Sequence, residues 1–175
     1  MNDFILMRPT AAYADQIREL RQEFLDAGSS MDGMGPLRRM EDPESYIAFC
    51  VRYEDPNQIP ANRVPATQFL FIRETDNRLV GMIQVRHHFN EHLAQYGGHI
   101  GYSIRPSERR KGYAKEMLRM TLPYCRKLGL EKVLITCIDG NIGSEKTILA
   151  NGGVYESTVY EPDEKIYLKR FWITL

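Results

Sequence analysis

Three cations in a row, Arg109, Arg110 and Lys111, stand directly before Gly112, Tyr113, Ala114 and Lys115. From Ala114 onward the chain takes a helical period: Ala114, Met117, Leu118, Leu122, Cys125 and Leu128 recur at close to 3.6 residues. Lys115, Glu116, Arg119, Arg126 and Lys127 fall on other faces. The front of a helix carries a partial positive charge and ordinarily favours Asp or Glu, so each cation there costs ~0.3–1 kcal/mol. Cations, a glycine that lets backbone approach closely, and unpaired N–H groups at one tip together suit a bound anion, with phosphate the usual one. The competing reading is a solvated basic turn. Neither a Gly-x-Gly-x-x-Gly fingerprint nor a Gly-Lys-Ser/Thr P-loop is present at this place.

The elements that would position this tip can be read on both sides of it. Residues 100–104 form a short strand entering the turn, and residues 132–138 form a buried-type strand after the helix. Upstream, residues 4–8 read as a first strand closed by Pro9, and Thr10 is placed to cap a helix over 11–27 that Gly28 stops. Asp42-Pro43 reads as an N-cap and first helical position for a helix to about residue 52. Residues 67–73 and 79–86 read as strands joined by the polar hairpin loop 74–78. Downstream, residues 141–151 read as a short helix ended by Gly152-Gly153, and residues 154–160 and 166–173 as a closing antiparallel pair. The predicted order is β-α-α-β-β-β-α-β-α-β-β, a mixed α/β single domain over residues 1–175.

The totals restrict the function. A formal net charge of zero, from 23 basic and 23 acidic residues, argues against nucleic acid or a membrane surface as a general partner. The basic cluster is then local and implies a small anion. No apolar run is long enough to span a bilayer, and Met1-Asn2-Asp3-Phe4 lacks the charged-then-apolar design of a signal peptide. Cys50, Cys125 and Cys137 show neither disulfide nor metal spacing, which fits a reduced cytoplasmic setting and a protein without a metal. Cys125 and Cys137 lie in apolar patterns and read as core.

Arg109-x-x-Gly112-x-Ala114 resembles the Q/R-x-x-G-x-G/A signature of the GNAT superfamily of acyl-CoA-dependent N-acyltransferases, and the element order matches that fold over nearly the whole chain. The resemblance implies a mostly antiparallel sheet flanked by helices and acetyl-CoA as co-substrate. It also implies direct attack of an amine, on a small molecule or a peptide, at the thioester. Arg109, Arg110, Lys111, Gly112, Tyr113 and Ala114 would hold the diphosphate, with Lys115 adding a side chain. Tyr102, Ser103 and Ile104 would pair with the pantetheine amides like an added strand, and the Ile104 N–H would steady the carbonyl oxygen. Asn141 would contact the pantetheine arm, with Ser144 three residues on where the family is usually small; Asn141 reads equally as a helix N-cap.

The family often has a tyrosine seven residues after this Asn as acid toward the thiolate. Here that position is Ile148, and Tyr102 or Tyr155 could stand in. A base near neutral pKa is needed for the amine, and His99 at the central strand is the first candidate, ahead of Glu91, His88 and His92. A histidine so placed also serves as a structural hydrogen-bonder. Acceptor choice would rest with residues 29–40, 54–66 and 87–98. Proteins of this kind commonly form symmetric homodimers. The absent tyrosine leaves a second reading, a non-catalytic acyl-CoA sensor or scaffold. A third reading is an unrelated phosphate-binding domain.

Overall fold

The computed structural model describes residues 3–175. Its elements are β1 (Phe4–Met7), α1 (Ala14–Asp26), α2 (Pro43–Tyr53), β2 (Ala66–Arg73), β3 (Arg78–Arg86) and β4 (Ile100–Ile104). After these come α3 (Tyr113–Lys127), β5 (Lys132–Ile138), α4 (Ile142–Leu149), β6 (Val154–Glu161) and β7 (Ile166–Thr174). The order is the one expected from the sequence. Met1 and Asn2, which entered the reading of the N-terminus, lie outside the described residues. Among those residues, no helix is long and apolar enough to cross a membrane.

The strands form two antiparallel sheets, β1-β2-β3-β4 and β5-β7-β6. β2 explains the layering. It is buried along almost its whole length, and alternate residues serve opposite faces. Phe69 and Phe71 join the core under α3 and α4, with Met117, Leu118, Cys125 and Ile148. Leu70 and Ile72 join the core under α1 and α2, with Ile17, Leu20, Phe24 and Tyr46. A sheet covered on both faces needs such a continuous apolar run, and each buried side chain of this size contributes roughly 1.5–3 kcal/mol.

Local chemistry sets the helix ends. Asp42 accepts from the Ser45 N–H at 2.9 Å with Pro43 in the first turn, as expected. Thr10 does not cap: its side chain bonds nothing at the helix, and a 3-10 turn over Ala11–Tyr13 intervenes before α1. The Tyr13 N–H takes the Thr10 carbonyl instead, at 3.0 Å. α1 ends as expected at left-handed Gly28 (φ +59°), with the Ser29 N–H returning to the Phe24 carbonyl.

The two sheets share the core under α3 and α4, and among the described residues they are hydrogen-bonded to each other through His99 and Leu134. The His99 N–H donates to the Leu134 carbonyl at 2.8 Å, and the Leu134 N–H donates to His99 Nδ1 at 2.9 Å. Gly98 permits this contact: its φ is +65°, and a Cβ there would lie 2.5 Å from the Leu134 oxygen. Beyond that point β4 and β5 are not paired, and the chain is a wedge opening toward Ile104.

Candidate active site

The register of β4 decides which of its backbone groups are free. Arg86 N–H bonds the His99 carbonyl at 2.7 Å, and Arg105 N–H bonds the Val80 carbonyl at 2.8 Å. Between them Gln84 faces Gly101 and Met82 faces Ser103. Antiparallel pairing alternates, so Gly101 and Ser103 turn their backbone groups to β3 while Ile100, Tyr102 and Ile104 turn theirs to the open edge. Of the three residues expected to pair with a ligand arm, Tyr102 and Ile104 therefore present backbone to the wedge. Ser103 does not, and its hydroxyl donates to the Asp32 carbonyl at 2.7 Å.

A cleft of about 800 Å³ occupies the wedge, with Tyr102, Ile104, Thr136 and Cys137 among its walls. One end is the tip of α3. There Arg110 (φ +61°) and Gly112 (φ +80°) hold a left-handed turn, and the first N–H groups of α3 have no intrahelical acceptor. The three cations are not equivalent. Arg109 spends its guanidinium on the Ile104 carbonyl (3.0 Å) and the Ser29 hydroxyl (2.7 Å), lying over the Phe24 ring. Lys111 pairs with Glu108 at 2.8 Å. Arg110 makes no ion pair among the described residues. Glu108 is buried and also meets Arg73 at 2.8 Å. Burial alone pushes its carboxyl up, but the hydrogen bonds from Arg73 and Lys111 outweigh that and hold it below the usual range.

The turn before α3 is built in advance of any ligand. Buried Arg105 pairs with Glu23 at 2.5 Å, and the other Glu23 oxygen accepts the Ser107 N–H at 2.7 Å. A second concavity, about 780 Å³, opens on the outer side of the tip at Phe4, Glu74 and Glu116. It touches the cleft at Gly112 and Tyr113 but carries no residue of β4 or β5.

Across the wedge, Asn141 caps α4 by accepting the Ser144 N–H at 3.2 Å, and both residues line the cleft. The Tyr102 hydroxyl lies 2.9 Å from Ser144 Oγ, and burial pushes this phenol up. Cys137 is buried in the wall, its thiol pushed up to about 11 by burial. Ile148 is fully buried in the core beneath α4 and has no access to the cleft.

The other end of the cleft is formed by Asp32, Gly33, Arg86, His92, Tyr96 and Gly97. Its covering loop touches β4 backbone to backbone. Gly33 has φ +71°, and a Cβ there would fall 2.0 Å from the Gly101 oxygen. Residues 93–97 form a π-helical turn that the sequence did not announce, tied to β5 by the Thr136 hydroxyl donating to the Tyr96 carbonyl at 2.7 Å.

Several expected residues stand elsewhere. His99 lies behind the cleft wall as the pin between the sheets, and burial, then the Arg86 charge, lowers its pKa to about 4. An imidazole that accepts a backbone N–H on Nδ1 and titrates there is a poor proton acceptor at neutral pH. Tyr155 is exposed on β6, its hydroxyl beside Thr158 Oγ1, and it does not line the cleft. His88 and Glu91 are also outside the lining, whereas His92 is in it. Residues 54–66 contribute nothing to the cleft; Glu54 is drawn to Arg8 at 2.6 Å. Residues 29–40 and 87–98 do contribute. Asp32 enters the cleft as part of residues 29–40, whereas Arg86 lies outside every expected segment and has no signal in the sequence beyond its place at the end of an apolar strand.

A family model described as the acetyltransferase (GNAT) domain matches residues 4–154. No curated protein matches the chain. Solved structures do. RimJ from Mycobacterium smegmatis, in complex with CoA-disulfide, is 18% identical with a TM-score of 0.72, over 98% of this chain and 81% of that one. The ribosomal-protein-S5-alanine acetyltransferase from Vibrio fischeri is 14% identical with a TM-score of 0.71, over 99% and 94%. A chimera of the spermidine N-acetyltransferase SpeG from Vibrio cholerae is 15% identical with a TM-score of 0.64, over 98% and 94%.

Proposed function

The chain belongs to the GNAT acetyltransferase family, and on that footing we propose that it moves an acetyl group from acetyl-CoA to the amine of a small molecule or peptide. The observation that carries this reading is the open backbone edge of β4 running into a helix tip where the Ala114 and Lys115 N–H groups have no intrahelical acceptor and Arg110 makes no ion pair among the described residues. The diphosphate is received by residues 109–114, with Arg110 supplying charge and Arg109 shaping the turn, while Lys111, which faces the outer concavity rather than the cleft, contributes only at long range. Lys115 borders the same end of the cleft.

The thioester is the end of the arm remote from the diphosphate. The N–H farther from the tip, Tyr102's, is therefore the donor we assign to the carbonyl oxygen as it gains charge. The Ile104 N–H, nearer the tip than that task requires, pairs with the arm, and Asn141 contacts the arm from α4. The amine nitrogen attacks the carbonyl carbon, the C–N bond forms and the C–S bond breaks. His92, in the wall at the acceptor end, is the base we assign for the amine proton. The Tyr102 hydroxyl, coupled to Ser144, delivers a proton to the departing sulfur. In this reading the acid stands on β4, and no tyrosine is needed at Ile148.

Three buried, unpaired cysteines suit a reducing cytoplasm, which we assign as the setting, and residues 1–175 act as one domain in this reading. A symmetric homodimer is carried over from the family and is read by light scattering. The sensor alternative is favoured by Ile148 alone. Calorimetry with acetyl-CoA, followed by release of free CoA thiol across an amine panel, tests the proposal. Binding without thiol release from any amine favours the sensor; no binding of acetyl-CoA or CoA at millimolar ligand overturns both.

A further inference from the structure

Arg86 ends β3 with its guanidinium in the cleft wall, at the end opposite the α3 tip. One terminal nitrogen donates to the carbonyls of Gly97 (2.9 Å) and Gly98 (3.3 Å). The other lies 3.4 Å from where a Cβ on Gly101 would stand, beside the residue that precedes Tyr102. The most enclosed arginines are met by carboxylates, Arg105 by Glu23, Arg73 by Asp76 and Glu108, Arg170 by Glu156, whereas Arg21 and Arg109 lean on carbonyls at more open places. Arg86 has no such partner: among the described residues no carboxylate comes within 4.0 Å of it. Asp32, the acid whose charge reaches it, is exposed and held by the Ser30 hydroxyl at 2.8 Å. Arg86 is half-buried in the cleft wall with only neutral carbonyls as hydrogen-bond partners, so part of its charge is open to an anion that enters the cleft. Loss of solvent lowers the Arg86 pKa and the Asp32 charge offsets this only in part, in keeping with a guanidinium that lacks a close anion.

The position is specific. Consecutive residues are about 3.8 Å apart, so an anion on Arg86 sits within a few bonds of an acyl carbon held at the Tyr102 N–H. We propose that the acceptor carries a carboxylate close to its reactive amine, as a free amino acid does, and that Arg86 is the residue that selects it. The inference deepens the acetyl-transfer reading and rests on it. The planar guanidinium fork suits a carboxylate, and its charge disfavours polycations such as spermidine. Asp32 across the same end gives the incoming ammonium a counter-charge, so the two residues together match a zwitterion.

The test uses the full chain saturated with CoA for binding and with acetyl-CoA for turnover. The probes are a set of L-amino acids each beside its carboxamide, a peptide beginning Ala-Asp beside one beginning Ala-Asn, and spermidine. The carboxylate member of each amino-acid pair is expected to bind, and to be acetylated with a kcat/KM, about tenfold better than its amide. In Arg86→Gln the ratio falls to within about twofold, and in Arg86→Lys it stays between the two, because charge survives without the fork. Affinity for acetyl-CoA, which is held at the other end, stays within about twofold in both variants and reports intact folding. A preference confined to the peptide pair assigns the carboxylate to an acidic second residue rather than a free amino acid, and overturns the amino-acid form. Preference for amides or spermidine, no detectable binding of any probe, or a preference unchanged in Arg86→Gln overturns the inference entirely. Carboxylate preference in binding without thiol release from any probe overturns acetyl transfer and leaves the Arg86 site standing.

Discussion

His99 and Leu134 exchange a pair of hydrogen bonds, and these are what hold β4 to β5 at the closed end of the wedge. Because Nδ1 accepts, the imidazole must stay neutral there. Its pKa is lowered, by burial first and the Arg86 charge second, from 6.5 to about 4. Below pH 6.5 the unfolded chain takes up a proton that the folded chain refuses, so stability falls as pH drops through that window and is untouched above it. The loss is on the order of 2–3 kcal/mol. Urea unfolding at about pH 7.5 and about pH 5 should show a drop in the parent that is much smaller in His99→Gln. Equal drops in both proteins would locate the pH dependence in other groups.

Arg110 and Lys111 separate charge that is available from charge already spent. Arg110→Ala should weaken CoA binding roughly five- to tenfold, with the effect shrinking as salt rises. Lys111→Ala should cost less, since Glu108 already neutralises that ammonium. Calorimetry at two ionic strengths measures both. A larger loss from Lys111 would reverse the assignment.

Tyr102→Phe should lower kcat by roughly tenfold or more while the KM for acetyl-CoA stays nearly constant, because the backbone N–H survives the change. Tyr155→Phe, altered on the exposed face of β6, should leave both constants alone. Undiminished kcat in Tyr102→Phe would mean that the thiolate leaves without help from this hydroxyl.

Gly33 and Gly28 both have positive φ, but only Gly33 is crowded. Gly33→Ala drives a Cβ onto the Gly101 carbonyl and should cost about 2–4 kcal/mol in urea unfolding. Gly28→Ala meets nothing within 4 Å and should cost about 1 kcal/mol, from backbone strain alone. Similar losses at the two positions would mean that the loop can lift off β4 freely.

Much of this could be read in the sequence where the signal is local. The Asp42 and Asn141 caps, the α3 period and the buried β5 run all depend on neighbours a few residues away. What escaped depends on partners far along the chain. Lys111 looks like free charge until Glu108 is seen turned toward it and toward Arg73. His99 looks like a base until Leu134 occupies its nitrogen. Arg86 looks like a solvated strand end until the turn at Gly97 and Gly98 encloses it. The alternation that exposes Tyr102 and Ile104 but not Ser103 follows from a register that no six-residue motif contains.

The strand order β5-β7-β6 has a consequence for how the protein is made. β6 leaves the ribosome before β7, yet it has nothing to join until β7 slides between it and β5. A nascent chain halted just short of Ile166 would carry a complete first sheet and a finished turn before α3 facing an unsupported β5. The wall of the cleft that β5 supplies is therefore among the last parts of the fold to be secured during synthesis, however early the motif at the α3 tip is translated.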